Sequence, residues 1–184
     1  FCKKHPHANV SITIKSRNEL IHWEGAEHFD VALVSLPFEQ RVFKKKTFVS
    51  FSAVVAVSKN DPLHMKKIIS IEDLKNKNLI SLDPTGIFQT SLRKKFEEHN
   101  IEPIVKIQTT SMLQSAQMVE NGIGIAIIDP FIGHIMSKDD ILIKPLEPSI
   151  NFDYAYIWPE GRELSALAKE FILEISNISK KISK

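Results

Sequence analysis

Apolar and polar positions alternate along Val10-Ser11-Ile12-Thr13-Ile14, the two-residue period that predicts a half-buried β-strand. Ser16-Arg17-Asn18-Glu19 fits a capping box, so a helix is predicted to run to about Trp23 and to stop at Gly25. The continuous apolar run Phe29–Val34 predicts a strand buried on both faces. Lys44-Lys45-Lys46 reads as a solvated turn or a sheet edge, and Phe48–Val57 as a further strand. Asp61-Pro62-Leu63 breaks that strand, and Ser70-Ile71-Glu72-Asp73 predicts a capped helix start of one or two turns.

The second half of the chain has clearer periods. Asn78–Leu82 reads as a strand and Asp83-Pro84-Thr85-Gly86 as a turn. Phe88, Leu92 and Phe96 then recur at helical spacing, with Asn100 closing the helix. Ile104–Gln108 predicts a strand. Thr109-Thr110-Ser111 offers three capping hydroxyls for a helix faced by Met112, Ala116 and Val119, which ends at Asn121-Gly122. A buried strand over Ile123–Ile128, a short helix from Pro130, and strands over Ile141–Pro145 and Tyr154–Trp158 follow. Leu164, Leu167, Ala168, Phe171 and Ile175 stripe the final helix. Strands alternating with helices predict an α/β fold of mostly parallel sheets with helices on both faces.

Composition narrows the function classes. The 184 residues are 43% hydrophobic and 25% charged, enough apolar material for a sizeable core. Lys plus Arg number 24 against 22 Asp plus Glu, a net charge of +2, which does not predict a surface built to coat nucleic acid. The single cysteine, Cys2, excludes a disulfide framework and a cysteine-built zinc site. No apolar run reaches the roughly 18–20 residues of a membrane span. The chain opens on Phe1-Cys2-Lys3-Lys4-His5-Pro6, which reads as a final helical turn, so the sequence is expected to begin in mid-element.

Candidate chemistry is sparse. The seven histidines lack ligand spacing, so no metal is expected. Gly122-Ile123-Gly124 follows a helix and opens a strand, the reverse of a dinucleotide loop. No nucleophile elbow and no phosphate-cradling loop occurs, and no catalytic residue or cofactor is expected. What remains is two hydroxyl-rich turns, each after a strand and before a helix. Helix N-termini present unpaired N–H groups and can hold a carboxylate. In open α/β sheets, ligands bind at the carboxyl ends of strands. Thr85, Gly86, Thr109, Thr110 and Ser111 are therefore ligand candidates, with plain helix capping as the alternative. Ser35, Leu36 and Pro37 follow a strand in the same way. Asp129 takes either a ligand ammonium or the cap of the helix that Pro130 opens.

The ordered set of motifs resembles the effector-binding domain of LysR-type bacterial transcription regulators. The residues that carry the resemblance are Phe1, His5-Pro6 and Val10, Asp30–Val34, the Asp61-Pro62-Leu63 turn, the Leu79–Leu82 strand, and above all the run from Thr109 to Phe131, with Met118-Val119-Glu120-Asn121-Gly122-Ile123-Gly124-Ile125-Ala126-Ile127-Ile128-Asp129-Pro130. The resemblance implies the two-lobe fold of type II periplasmic binding proteins, with an effector bound between the lobes. The first lobe would be residues 1–56 plus 147–184, lacking its first strand, and the second lobe residues 57–146. It implies ligand contacts at Ser35, Leu36, Pro37, Pro84, Thr85, Gly86, Thr109, Thr110, Ser111, Asp129 and Phe131. It further implies a homodimer using Ser11, Thr13, Leu92 and Lys95, a tetramer in the full-length regulator, a cytoplasmic location, and DNA contact only through an N-terminal domain absent from this chain. Ile80-Ser81-Leu82, Gln89, Leu92, Phe96, Thr109-Thr110-Ser111 and Asp129-Pro130-Phe131 are similar to the branch that senses amino acids and opines. The rival expectations are a free-standing solute-binding protein of a transporter and an enzyme on the same fold.

Overall fold

A computed structural model describes residues 1–15, 19–20, 29–84, 86–136 and 140–182. Its elements in chain order are β1 (Ala32–Ser35), β2 (Phe43–Ser52), β3 (Val54–Ser58), β4 (Ile69–Ser70), β5 (Asn78–Leu82), α1 (Ile87–Glu98), β6 (Ile104–Thr109), α2 (Met112–Glu120), β7 (Ala126–Ile128), α3 (Pro130–Ile135), β8 (Ile141–Glu147), β9 (Asn151–Pro159) and α4 (Ala166–Ile182). Short 3-10 helices occupy Pro62–Met65 and Ile71–Leu74. The chain divides into two compact units. One holds Phe1–Val49 and Asp153–Ile182, the other Ser50–Phe152.

In the first unit, three strands lie in the order β1-β9-β2. β1 is antiparallel to β9, from Ala32 opposite Ile157 to Ser35 opposite Tyr154. Val34, Phe38, Phe43, Ala155 and Ile157 form its core with Leu20. The second unit is larger. β5 and β6 pair in parallel, from Asn78 opposite Ile104 to Leu82 opposite Thr109. A parallel bridge at Leu79 and Ile125 ties this pair to the approach to β7. β7 pairs antiparallel with β3, and β3 with β8, in the order β4-β8-β3-β7.

Side-chain alternation along β5 explains the layering. Leu79 packs in one core with Leu92 and Phe96 of α1, while its neighbour Ile80 packs in another with Ala116 and Val119 of α2. Successive strand residues point to opposite faces, so the two helices cover both sides of the sheet as predicted. Asn100 adopts φ 54° just past α1, and Gly122 adopts φ 72° past α2, the left-handed conformation that ends helices. A Cβ at Gly124 would collide with the backbone carbonyl of Asn78, so that glycine permits close packing against β5.

Several expectations need correction. The strand directions are more mixed than foreseen: β5–β6 and β4–β8 are parallel, whereas β1–β9, β3–β7 and β3–β8 are antiparallel. Helix–strand alternation counts crossovers, but long antiparallel returns such as β9 leave no mark in local sequence. β1 is not buried on both faces, since Leu33 is 49% exposed. The Phe48–Val57 strand is two strands parted at Ala53, and the lysine triplet lies within β2, the last strand of its sheet order. Val10–Ile14 forms no strand, and Ile12 and Ile14 are 81% and 94% exposed. Alternation is necessary for a half-buried strand but not sufficient, and no described strand pairs with this segment. The buried line of α4 runs through Ala168, Ile172 and Ser179, with Leu167 exposed. The helix predicted over Ser16–Trp23 falls largely outside the described residues.

Candidate functional site

Three parallel-running segments in the second unit end on one edge. Leu82 of β5 stands opposite Thr109 of β6, and Ile125 accepts a hydrogen bond from Ile80 N at 2.8 Å while donating to Asn78 O at 2.9 Å. The carboxyl ends of β5, β6 and β7 therefore share an edge, and each is followed at once by a helix start. This is the arrangement that open α/β sheets use for ligands.

The three helix starts differ in how they are capped. α1 begins at Gly86 with no side-chain cap, so the N–H groups of Ile87, Phe88 and Gln89 receive nothing from the cap residue. Gly86 donates its N–H to Asp83 O at 3.1 Å, and Thr90 closes the first turn onto Gly86 O at 2.9 Å. The φ of Gly86, −70°, is one any residue adopts, and a Cβ there would lie 3.4 Å from Asp83 O. Its value is thus the small size of the backbone at that point rather than conformational freedom. Pro84 is exposed beside it, and Thr85 lies outside the described residues.

α2 is capped by Ser111, whose hydroxyl accepts from Gln114 N at 3.3 Å. The Thr109 hydroxyl is also committed, accepting from Ser111 N at 3.2 Å and donating to Gln114 Oε1 at 2.8 Å. Thr110 is exposed, and among the described residues its hydroxyl has no hydrogen-bond partner. The hydroxyl run so divides into two residues that shape the turn and one that presents itself to solvent. α3 is capped by Asp129, which accepts from Ile132 N at 2.8 Å and is only 7% exposed. Of the two readings of Asp129, the geometry displays the cap. Phe131 sits in the first turn of α3, half-buried.

Behind the edge, Gln89 donates its side-chain amide to the hydroxyl of Ser81, and Ser81 donates to Leu82 O at 3.1 Å. This pair pins the first turn of α1 to the end of β5. In the first unit, Ser35 ends β1, Leu36 donates its N–H to Asp153 O at 2.9 Å, and the Leu36–Pro37 peptide is cis. The dimer candidates separate. Ser11 and Thr13 are exposed, Lys95 pairs with Glu98 at 2.7 Å on the surface of α1, but Leu92 is 2% exposed and belongs to the core. The i, i+4, i+8 spacing of Leu92 with Phe88 and Phe96 already marked it as inward-facing.

Electrostatics away from the edge are structural. Glu72 is held below the ordinary carboxylate range by a backbone hydrogen bond first and by His99, whose Nδ1 lies 2.7 Å from Glu72 Oε1. Burial pushes Asp73 up, but Lys66 at 2.5 Å and the Ser70 N–H at 3.0 Å outweigh it and hold it low. Among the described residues no group of three or more His, Cys, Asp or Glu is placed to hold a metal ion, and no helix is long and apolar enough to cross a membrane. Sequence reasoning missed a run of phenylalanine rings along the same edge, formed by Phe51, Phe88, Phe131 and Phe152. Their separation along the chain leaves no periodic signal.

The family LysR substrate binding domain matches residues 1–177. The chain is 23% identical over 171 residues to the transcriptional activator protein LysR of Escherichia coli, covering 93% of this chain and 55% of that protein. It is 20% identical to the regulatory protein NocR of Agrobacterium tumefaciens, covering 93% of this chain and 57% of that one. The chain thus spans about half the length of these curated relatives. Its fold superposes on the regulatory domain of CcmR from Synechocystis, solved in complex with 2-PG, with a TM-score of 0.78 at 19% identity, covering 97% of this chain and 87% of that one. These relatives are transcription regulators, which favours a regulatory role over a transporter's solute-binding protein. The chain belongs to the LysR substrate binding domain family, the ligand-sensing regulatory domain of LysR-type regulators.

Proposed function

We propose that this domain senses a small carboxylate or amino-acid-like molecule at the carboxyl edge of β5, β6 and β7. The observation that carries this reading is the start of α1, where the cap residue Gly86 has no side chain to offer, on the same sheet edge as the exposed Thr110 hydroxyl. Uncapped helix N–H groups offer an anion about half a positive charge without any basic side chain. Gly86, Thr110 and the backbone of the α2 start would hold the carboxylate. Pro84, Thr85, Thr109, Ser111, Asp129 and Phe131 shape or wall the site, and Ser35, Leu36 and Pro37 are the proposed share of the first lobe, taken as residues 1–56 plus 147–184 against 57–146. The resemblance to the amino-acid- and opine-sensing branch puts amino-acid derivatives among the candidates.

In this reading the domain is not an enzyme and uses no cofactor. It works in the cytoplasm within a regulator whose DNA contacts lie outside this chain. It forms a homodimer, and a tetramer in the full-length protein, through Ser11, Thr13 and Lys95, with Leu92 beneath that surface as core. The ligand acts by preferring one arrangement of the domain over another, and it shifts that equilibrium only by its differential affinity. Thermal unfolding against a panel of amino acids, opines and aromatic carboxylates tests the proposal. A ligand at about 100 times its dissociation constant adds about 2.7 kcal/mol, a shift of roughly 5–11 °C for a chain of this size. A panel without any shift contradicts it.

A further inference from the structure

The end of α2 away from the sheet edge carries a separate chemistry. α2 closes on Asn121-Gly122, and no other asparagine in the chain is followed by glycine. The side-chain amide of an asparagine and the peptide nitrogen that follows it can close a five-membered ring. A side chain on the following residue hinders that closure, and glycine has none. Asn121, Gly122 and Ile123 are all exposed, and nothing lies within 4 Å of the place a Cβ on Gly122 would take. Water therefore reaches the pair.

The folded turn keeps the two reacting groups occupied. Asn121 is the C-cap of α2, with φ −81° and ψ 7°. Gly122, at φ 72°, donates its N–H to Val119 O at 2.9 Å, and Ile123 donates to Met118 O at 3.2 Å, the paired closure of a Schellman turn. Asn121 Nδ2 donates to Gln117 O at 2.8 Å. The nucleophilic nitrogen and the leaving amide are thus tied to different carbonyls of the last turn. Fraying of that one turn releases both, and helix ends are where local opening costs least.

We propose that Asn121 is a self-modification site gated by the last turn of α2. When the turn opens, the Gly122 nitrogen gives its proton to solvent and attacks Asn121 Cγ. A Cγ–N bond forms, the Cγ–Nδ2 bond breaks, and Nδ2 takes up a proton and leaves as ammonia. Water then opens the cyclic imide at either carbonyl, giving aspartate on the original backbone or isoaspartate, whose backbone runs through the former side chain. Neither product restores the turn. Aspartate sets a negative charge at the negative end of the helix and removes the donor to Gln117 O. Isoaspartate lengthens the backbone by one atom, which throws the two Schellman hydrogen bonds out of register. Gly124, two residues on, lies against Asn78 O, so the mark also loosens the packing behind β5.

The test is peptide mapping by mass spectrometry of the chain incubated in mildly alkaline buffer, folded and in concentrated urea. In urea, Asn121 should gain one mass unit ahead of every other asparagine, with ammonia released in step. The folded chain should be marked at the same place at least about tenfold more slowly. Gln117→Gly weakens the last turn without touching the reacting groups, so it should speed marking of the folded chain about three- to tenfold and leave the rate in urea unchanged. Asn121→Ser should abolish the mark. Asn121→Asp, which copies one product, should lower the melting temperature by about 2–4 °C. No preference for Asn121 in urea would overturn the site. Equal rates folded and in urea, or equal rates in folded wild type and folded Gln117→Gly, would overturn the gate.

Discussion

The two units bury their strands by different means, and the contrast shows what makes a strand. In the second unit, β5 is paired by β6 on one side and bridged to the approach to β7 on the other, with α1 and α2 covering its faces. Its residues Leu79 and Ile80 are 3% and 2% exposed. In the first unit, Val10–Ile14 has a cleaner two-residue alternation than β5, yet it forms no strand and stays exposed. Pattern prepares a segment for a sheet; a neighbour with free backbone groups makes it a strand.

The largest expected effect separates these regions directly. Leu92→Ala should destabilise the chain by about 2–5 kcal/mol, because it opens a cavity under α1. Ile12→Ala should stay within about 0.5 kcal/mol in the same denaturant titration at low protein concentration. A large loss at Ile12 would mean that the segment is paired after all. Gly124→Ala comes next, at about 1–3 kcal/mol, since a methyl group there strikes the Asn78 carbonyl and forces β5 and the approach to β7 apart. Gly122→Ala has open space and should cost only the left-handed backbone, about 1–2 kcal/mol. Ser111→Ala, which removes the cap of α2, should cost about 1 kcal/mol by thermal or chemical unfolding.

The smallest effect is pH-dependent. Asp73 is held below its ordinary value of 3.8 by Lys66 and the Ser70 N–H against the opposing effect of burial. A depressed carboxylate contributes stability that is complete above its unfolded value and is lost as pH falls through the folded one. Wild type should therefore exceed Asp73→Asn in stability at neutral pH, and the two should converge below about pH 4. A constant gap across that range would remove the ionised Asp73 from the account.

Local chemistry was legible before the fold was known. Asn100 and Gly122 end their helices as read, and Ser111 and Asp129 take the capping alternative that the sequence had left beside the ligand one, because caps depend on a few neighbouring residues. The helix faces of Leu92, Phe96, Ala116 and Val119 were legible from their 3.6-residue period. The antiparallel returns, the one-sided cover of β1 and the ring contacts of Phe51 with Phe131 and Phe152 were not, because each depends on partners distant in the chain. The site divides the same way. The turns announced themselves by their hydroxyls, but which hydroxyl stays available depended on hydrogen bonds that only the fold assigns, and these leave Thr110 rather than Thr109 or Ser111 open.

Backbone amide spectra of the 15N-labelled chain, titrated with the carboxylate probes, test the central claim most directly. The account predicts that the amides of Gly86, Ile87, Met112 and Leu113 shift together and saturably, with Val10–Ile14 unmoved. Saturable shifts that avoid the starts of α1 and α2 would contradict it.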